Sequence, residues 1–550
     1  MMRVDGDFFF PEMKTFPMRR LLVALGLAAG AALSAPAAEV ADTPLPIVSQ
    51  PLTLSWYAGL MPQAAVSLRS LSEQTAYQVL AERTGIHVAF QHPPVGAERE
   101  RFQLLVVSRR YPDVVEADWA DYPGGPAQAI RDGAILPLNA LIAQHAPHLQ
   151  ALLDANPEVR RAITTDDGTI YCFPLLSLDP QVRSIWGPQI RQDWLARLHL
   201  DAPVTLADWD RVLTAFKARD PNGNGVADEI PLSAFTVPGE HVVPGLPPAL
   251  TSFLGAFDLA PEFYRAGDQV RYSPAQPAYR DFLALMHRWY VQGLLDPDFV
   301  TQSGRQFDTK MMAGRVGAYS DFNGGGLGRY TRLAQGRVPG FALQATAWPA
   351  DAAGHAHAIA PTAARVFAGT GAAITSADRH VVETVKFLDY GYSVQGGRTL
   401  SFGRKGLSYT MVDGQPRYTD RVLRDPRLSV MEAIMRDARP QSGPLVQDPG
   451  YLTQFYALPA QRDAVRLWAA GDTDLLLPLL QPSGRDARKF ASLMSDIQTY
   501  VAEMTVKFIL GREPLAGFDA YVARLDAAGL PEATQIMQRA YDRYRAKPVH

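Results

Sequence analysis

The sequence predicts an α/β protein with a parallel sheet, closed by a helical tail. Three observations predict it. Leu52-Thr53-Leu54-Ser55-Trp56-Tyr57 reads as a strand. Residues 71–84 carry helical spacing and stop at Gly85, and Ile86-His87-Val88-Ala89-Phe90 alternates as a second strand. A helix of about 14 residues between two strands implies a parallel sheet. From about residue 430 onward the spacing is mainly helical, so helices are added to the α/β part.

Further elements follow in order. Arg101 to Arg109 reads as a helix, and Tyr111-Pro112-Asp113-Val114-Val115-Glu116-Ala117 as a turn entering a strand. Thr205-Leu206-Ala207-Asp208 resembles a capping box. Behind it Trp209, Val212, Leu213 and Phe216 fall at i, i+3, i+4 and i+7, the stripe of an amphipathic helix. Residues 277–292 form another helix, with Phe282, Leu285, Met286 and Trp289 on one face. Residues 377–390 form a third, with Val381, Val385 and Leu388 aligned. No internal repeat is present.

A chain of 550 residues suggests two to four domain-sized units. Formal net charge is -3 and no long Lys/Arg run occurs, so nothing marks a surface that tracks nucleic-acid phosphates. The one cysteine, Cys172, excludes an intramolecular disulfide, and a small buried apolar role is expected for it.

The N-terminus carries a compartment signal. Met18-Arg19-Arg20 precedes the apolar run Leu21 to Leu33, and Ser34-Ala35-Pro36-Ala37-Ala38 supplies a small-residue cleavage site. Residues 1–38 are therefore expected to be a cleavable signal peptide whose first 17 residues are an over-extended start. The run is too short for a comfortable membrane span. A soluble, monomeric periplasmic protein is the expected product.

The sharpest local pattern follows the Thr205 helix. Asp220, Asn222 and Asn224 stand at positions 1, 3 and 5 of a calcium-loop pattern, with Gly225 at position 6 for the tight turn. Val226 offers its backbone carbonyl at position 7, and Asp228 and Glu229 follow at 9 and 10. Calcium takes six to eight hard oxygens, which this stretch supplies. Position 12 is Pro231 instead of a bidentate Glu, so Glu229 must take that role, and Ile230-Pro231-Leu232 reads as extended. A closed structural Ca2+ site is expected, not a sensor.

Ordered blocks along the chain carry a family resemblance. They are Tyr111-Pro112-Asp113-Val114-Val115, Asp132-Gly133-Ala134-Ile135-Leu136-Pro137-Leu138, Asp167-Gly168-Thr169-Ile170-Tyr171 and Ile190-Arg191-Gln192-Asp193-Trp194-Leu195. After the calcium loop come Gly293-Leu294-Leu295-Asp296-Pro297, Phe387-Leu388-Asp389-Tyr390-Gly391-Tyr392-Ser393 and Ile536-Met537-Gln538-Arg539-Ala540-Tyr541-Asp542. Over roughly residues 50–545 the chain resembles the extracellular solute-binding protein family 1 of ABC importers, and in particular the periplasmic alginate-oligosaccharide-binding proteins.

The resemblance implies a two-domain periplasmic-binding-protein fold of the α/β class, with an interdomain cleft and additional C-terminal helices. It implies calcium at Asp220, Asn222, Asn224, Val226, Asp228 and Glu229, and delivery of an oligosaccharide to an inner-membrane ABC permease. The expected division is 45–185 plus 370–430 for an N-terminal lobe. The C-terminal lobe, with the calcium loop, takes 186–369 plus 431–550. Where the alginate binders place cleft aromatics, this chain reads Tyr319-Ser320-Asp321-Phe322-Asn323 and Leu445-Val446-Gln447-Asp448. The expected ligand is therefore an oligosaccharide, acidic or of another kind.

Saccharides need flat apolar faces and planar polar groups, and acidic ones add a demand for Arg or Lys. Candidate ligand-binding residues are Trp56, Trp119, Tyr171, Arg183, Trp186, Tyr319, Phe322, Tyr409 and Gln447. The alternative function is a secreted carbohydrate-active enzyme, a lyase or hydrolase. Its acid and base would come from Glu116, Asp118 and Asp121 around Trp119. His355-Ala356-His357 is a weak metal pattern without a neighbouring carboxylate, and Asn323 to Gly328 is expected to be a flexible Gly-rich loop. No catalytic residue is assigned, and no enzyme activity is expected of the main reading.

Overall fold

The computed structural model describes residue 40 and residues 43–235, 243–482 and 484–548. The expected signal peptide lies outside the described residues. Among these, no helix is long and apolar enough to cross a membrane.

Ten strands build the two main sheets. They are β1 (Leu52–Tyr57), β2 (Ile86–Gln91), β3 (Val114–Asp118), β4 (Phe173–Leu176), β5 (Trp186–Arg191), β6 (Ile230–Leu232), β7 (Val316–Phe322), β8 (Leu343–Ala345), β9 (Thr370–Ile374) and β10 (Leu445–Val446). The first sheet runs β10-β4-β9-β3-β1-β2, and the second runs β8-β5-β7-β6. β1 pairs parallel with β2, with Leu52 opposite Ile86, and parallel with β3. The sheet is mixed, however: β9 enters from the far side of the chain and pairs antiparallel with both β3 and β4.

The β1–β2 crossover differs from the expected single helix. Ser70 caps a 3₁₀ turn at Leu71–Glu73, and helix α1 (Thr75–Thr84) begins only after Gln74 returns to an extended conformation. Gly85 ends it at φ 77°, where a Cβ would come within 2.8 Å of the Val48 side chain. The helix expected over 101–109 starts earlier, as α2 (Glu98–Ser108), and Arg109 caps it in the left-handed region. The reciprocal Thr205–Asp208 capping box forms, and α3 (Leu206–Ala218) buries Trp209, Val212, Leu213 and Phe216. Helix α4 (Pro277–Val291) buries Phe282, Met286 and Trp289 as its spacing demands, while Leu285 is only half-buried. Helix α5 (Val381–Tyr390) starts four residues later than expected.

Two large cores result. One surrounds the first sheet and joins Leu54, Val114, Phe173, Ile374 and Leu388. The other surrounds the second sheet and joins Ile190, Trp209, Trp289 and Val316 to the helical tail. The tail comprises α6 (Pro459–Ala469), α7 (Gly484–Ile509), α8 (Phe518–Ala527) and α9 (Leu530–Ala546). T-shaped pairs lock the second core, with Trp194 against Phe216 and Trp209 against Phe253, both at 5.1 Å.

Three segments pass between the sheets: 177–185, 346–369 and 447–458. They are stitched to one another. Ser177 N donates to the Val366 carbonyl at 2.9 Å, and Gln447 N donates to Leu176 O at 2.8 Å. The indoles of Trp348 and Trp468 exchange bonds, Trp348 Nε1 to Trp468 O at 3.0 Å and Trp468 Nε1 to Thr346 O at 3.1 Å. The last crossing lies beyond Val446 and not at 430. Met435 and Leu445 belong to the first sheet's core, and β10 pairs with β4.

One buried ion pair fastens residues 435–443 there. Arg439, 1% exposed, donates from Nη2 to both Glu116 carboxylate oxygens at 2.8 and 2.9 Å. Its Nη1 reaches Tyr77 OH at 3.0 Å and its Nε reaches Ser442 Oγ at 2.8 Å. Removing the cation leaves a buried carboxylate uncompensated. Arg439→Met is therefore expected to cost about 3–5 kcal/mol in a urea unfolding titration. A loss under 1 kcal/mol would show that the pair is not what holds this segment.

Candidate functional site

The crevice at the carboxyl ends of β1 and β3 is the natural site in an open α/β sheet. The chain leaves these neighbouring strands in opposite directions and cannot fill the gap between them. A cavity of about 460 Å³ opens there. Its walls come from the loop after β1, the start of α2, the end of β3 and the Arg439–Gly443 turn. Leu60, Met61 and Pro62 give it an apolar side, and Glu98, Asp118 and Gln441 a polar one. Burial, reinforced by the Asp121 charge, pushes the Asp118 carboxyl above its usual range, against the Ala120 N–H bond and the Arg99 and Arg365 charges.

A second cavity of about 310 Å³ is formed jointly by the two cores. Residues of 120–127 and 162–171 face residues of 479–487 and the last turns of α9. The end of α9 ties the two sides together: Arg543 pairs with Asp166 at 2.9 Å, and Lys547 Nζ donates to Arg161 O at 3.1 Å and to Thr164 O.

The candidate ligand residues divide into three groups. Tyr171 lines the shared cavity. Arg183, Trp186, Phe322 and Gln447 gather at the crossings. Trp186 is the register partner of Phe322, which is 44% exposed, and its ring lies 5.8 Å from that of Trp348. Arg183 O accepts from Thr362 Oγ1 at 3.2 Å. Gln447 is engaged at both ends, accepting from Ser177 Oγ at 2.9 Å and donating to Tyr451 OH at 2.7 Å.

Trp56, Trp119, Tyr319 and Tyr409 form the third group, and all four are buried. Their rings are closed in by packing: Trp56 by Phe90, Trp119 by Phe102, Tyr319 by Phe307 and Tyr330, and Tyr409 by Phe402. None of the four lines either cavity.

The three carboxylates around Trp119 do not act together. Glu116 is held through both oxygens by Arg439, Asp121 pairs through Oδ1 with Arg99 at 3.0 Å, and Asp118 uses only Oδ1, for Ala120 N. The two histidines also separate: His355 lies 3.4 Å from Asp351, and His357 lies 3.3 Å from Asp258. Asn323–Gly328 is a π-helical turn leading into the next helix, and not a flexible loop, with Asn323 Nδ2 donating to Gln461 O at 2.8 Å. Cys172 is buried, and burial pushes its thiol well above the usual range.

The Asp220 loop wraps its own carboxylate. Asp220 Oδ1 accepts from Gly223 N at 2.7 Å and Asn224 N at 3.1 Å, and Oδ2 accepts from Gly225 N at 2.8 Å. These bonds, that from Gly225 foremost, hold its carboxyl below the usual range. Gly225 turns at φ 75°. The segment leaves as β6, an extended exit in place of a second helix.

Calcium fits the donor set. Glu229 is only 4% exposed, and its Oε1 is buried with no hydrogen-bond partner. Burial, with Asp220 and Asp228 nearby, pushes its carboxyl up, as expected of an anion short of a cation. Among the described residues no group of three or more His, Cys, Asp and Glu side chains gathers as a metal cluster. Binding here therefore also needs the Asn222, Asn224 and Val226 oxygens. Asp228 is shared with Arg315, whose Nε lies 3.1 Å from its Oδ2.

No family model matches the chain. The substrate-binding protein FusA of a fructooligosaccharide ABC transporter in Streptococcus pneumoniae is 25% identical over 555 residues, covering 97% of this chain and 99% of FusA. The alginate-binding protein AlgQ2, solved without calcium ion, is 25% identical with a TM-score of 0.65, covering 90% of this chain and 99% of AlgQ2. An EF-hand mutant of S. pneumoniae FusA in complex with fructo-nystose is 22% identical with a TM-score of 0.66, covering 90% of this chain and all of that one, 100%. In fold, and in sequence along nearly its whole length, the chain is a homologue of the substrate-binding proteins of ABC transporters.

Proposed function

We propose that this chain captures an oligosaccharide between its two sheet-bearing bodies and presents it to an inner-membrane permease. The single observation that carries this reading is the cavity at the carboxyl ends of β1 and β3, lined by the first body and bordered by the 346–369 crossing at Ala368. Full-length similarity to FusA and AlgQ2, which bind fructooligosaccharide and alginate, supports the ligand class. The crossings act as the hinge, because they are the connections between the two sheets. Ligand contacts made on both sides favour the closed form, and the permease reads that form.

Capture suits the site better than turnover. A hydrolase or lyase needs an acid and a base free to exchange protons. Here Glu116 is locked to the buried Arg439, and Asp121 pairs with Arg99.

The Asp220 loop holds a structural calcium in this reading. Asp220, Asn222, Asn224, Asp228, Glu229 and the Val226 carbonyl surround it, and Glu229 replaces the usual position-12 carboxylate. The buried Oε1 of Glu229 supports the assignment, as does the EF-hand named for FusA. The N-terminal segment directs export to the periplasm.

Calcium binding to the folded state alone stabilises by linkage. Chelator is therefore expected to lower the melting temperature, and Asp220→Ala to remove that sensitivity. An unchanged melting curve in excess chelator, with metal analysis confirming removal, sinks the calcium assignment.

Glu229 adds a pH signature. Its folded-state carboxyl titrates above the ordinary carboxylate value, so the metal-free fold binds the proton more tightly than the unfolded chain. Its contribution is full below the ordinary carboxylate value and is lost as pH rises through the raised folded value. In chelator at pH 7, Glu229→Gln should melt at or above wild type, and the gap should close toward pH 4 (about the ordinary carboxylate value). In calcium the order should reverse. A variant less stable than wild type in both conditions contradicts this.

Small-angle scattering tests the hinge. A saturating oligosaccharide ligand should reduce the radius of gyration, and an unchanged curve at saturation removes the closing mechanism.

A further inference from the structure

The charges of the two cavities are lopsided in a way that bears on which sugar fits. Each cation lining them contacts a protein acceptor, Arg439 from a buried position and Arg99 from an exposed one. Arg439 is bound by Glu116, Tyr77 and Ser442. Arg99 pairs with Asp121. Lys547 donates to the Arg161 and Thr164 carbonyls. Two neutral donors of the first cavity are also engaged: Tyr57 OH donates to Glu98 O at 3.1 Å, and Gln441 Nε2 donates to Tyr451 OH at 3.2 Å.

Acceptors, by contrast, are left over. Asp118 uses Oδ1 for Ala120 N at 3.0 Å, and Glu98 uses Oε1 for Gly96 N at 3.0 Å. Among the described residues, the other oxygen of each carboxylate accepts no hydrogen bond, and both side chains line the first cavity. Arg365 interacts favourably with Asp118 and makes no ion pair among the described residues, but it is not among the side chains lining either cavity.

From this imbalance we infer that Asp118, assisted by Glu98, selects saccharides that offer hydroxyl or ammonium donors and rejects those bearing carboxylates. A neutral or amine-bearing oligosaccharide presents donors to the two open carboxylate oxygens, and its apolar ring faces lie on Leu60, Met61 and Pro62. A uronate places a negative charge in the same space with no unengaged cation on the wall. At an effective dielectric of ~20, a like charge ~5 Å from a carboxylate weakens binding on the order of 100-fold. The inference rests on the capture reading above and narrows it to a charge class.

Calorimetric titration of the full chain tests it with trisaccharides matched in length: kestose, cellotriose and mannotriose as neutral ligands, chitotriose in its deacetylated form as the amine, and trimannuronate and trigalacturonate as acids. At least one neutral or amine-bearing trisaccharide should bind, with both uronates on the order of 100-fold weaker or undetectable. Asp118→Asn should narrow that ratio about tenfold, and Glu98→Gln, on the exposed start of α2, should narrow it in the same direction if Asp118→Asn does not fold. A uronate that binds as tightly as the best neutral sugar overturns the charge selection and leaves the capture reading standing. So does an unchanged ratio in both folded variants. No binding by any of the six overturns the capture reading for this ligand length, and the charge selection with it.

Discussion

The buried pairing of Arg439 with Glu116 is the constraint on which the rest of the first body depends. It joins a turn late in the chain to the middle strand of the first sheet, with both side chains out of water. Around it Gln74 Nε2 donates to Met435 O and Ala438 O at 2.6 and 2.8 Å, and Thr75 Oγ1 donates to Asp437 O at 3.0 Å. The start of α1 is thereby bound to residues 435–438. Gly443 N completes the carboxylate's shell at 3.1 Å. A buried pair of this kind contributes specificity of position more than net stability.

That position matters because the same turn walls the cavity at the ends of β1 and β3. The cation that would otherwise face the cavity is turned to Glu116, and the carboxylates beyond it stay open. One interaction thus both seats the returning chain and sets the electrostatic character of the crevice. The second body lines the other cavity, through the 479–487 segment and the last turns of α9. The Asp220 loop stands apart from both cavities, at the entry to β6 in the second sheet.

The local elements were legible because their causes are local. The Thr205–Asp208 capping box and the Trp209–Phe216 stripe need only i, i+3, i+4 geometry, and both form. The extended exit of the calcium loop follows from Pro231, which has no N–H for a helix. Among candidate site residues, spacing told less. It marked Trp56 and Trp119 because they are large and aromatic and stand at strand ends, but a ring at a strand end is stacked by whatever packs above it. Here Phe90 packs tilted against Trp56, and Phe102 meets Trp119 edge to face. The acidic trio at the end of β3 was visible in the sequence, yet which member is free was not, since Arg439 lies more than 300 residues away.

By itself the sequence determined the β-α-β start, the amphipathic helices, the oxygen-rich loop at 220–229 and the kinship to solute-binding proteins, because each rests on residues near one another in the chain or on an ordered set of short blocks. The tertiary structure alone decided that β9 and β10 return to complete the first sheet, that five of the nine candidate ligand residues belong to the packed cores, and that the cavity's cations are paired while Asp118 and Glu98 each keep an open oxygen. Those outcomes depend on contacts between distant segments, where burial and pairing are fixed by what packs opposite and not by any spacing along the chain.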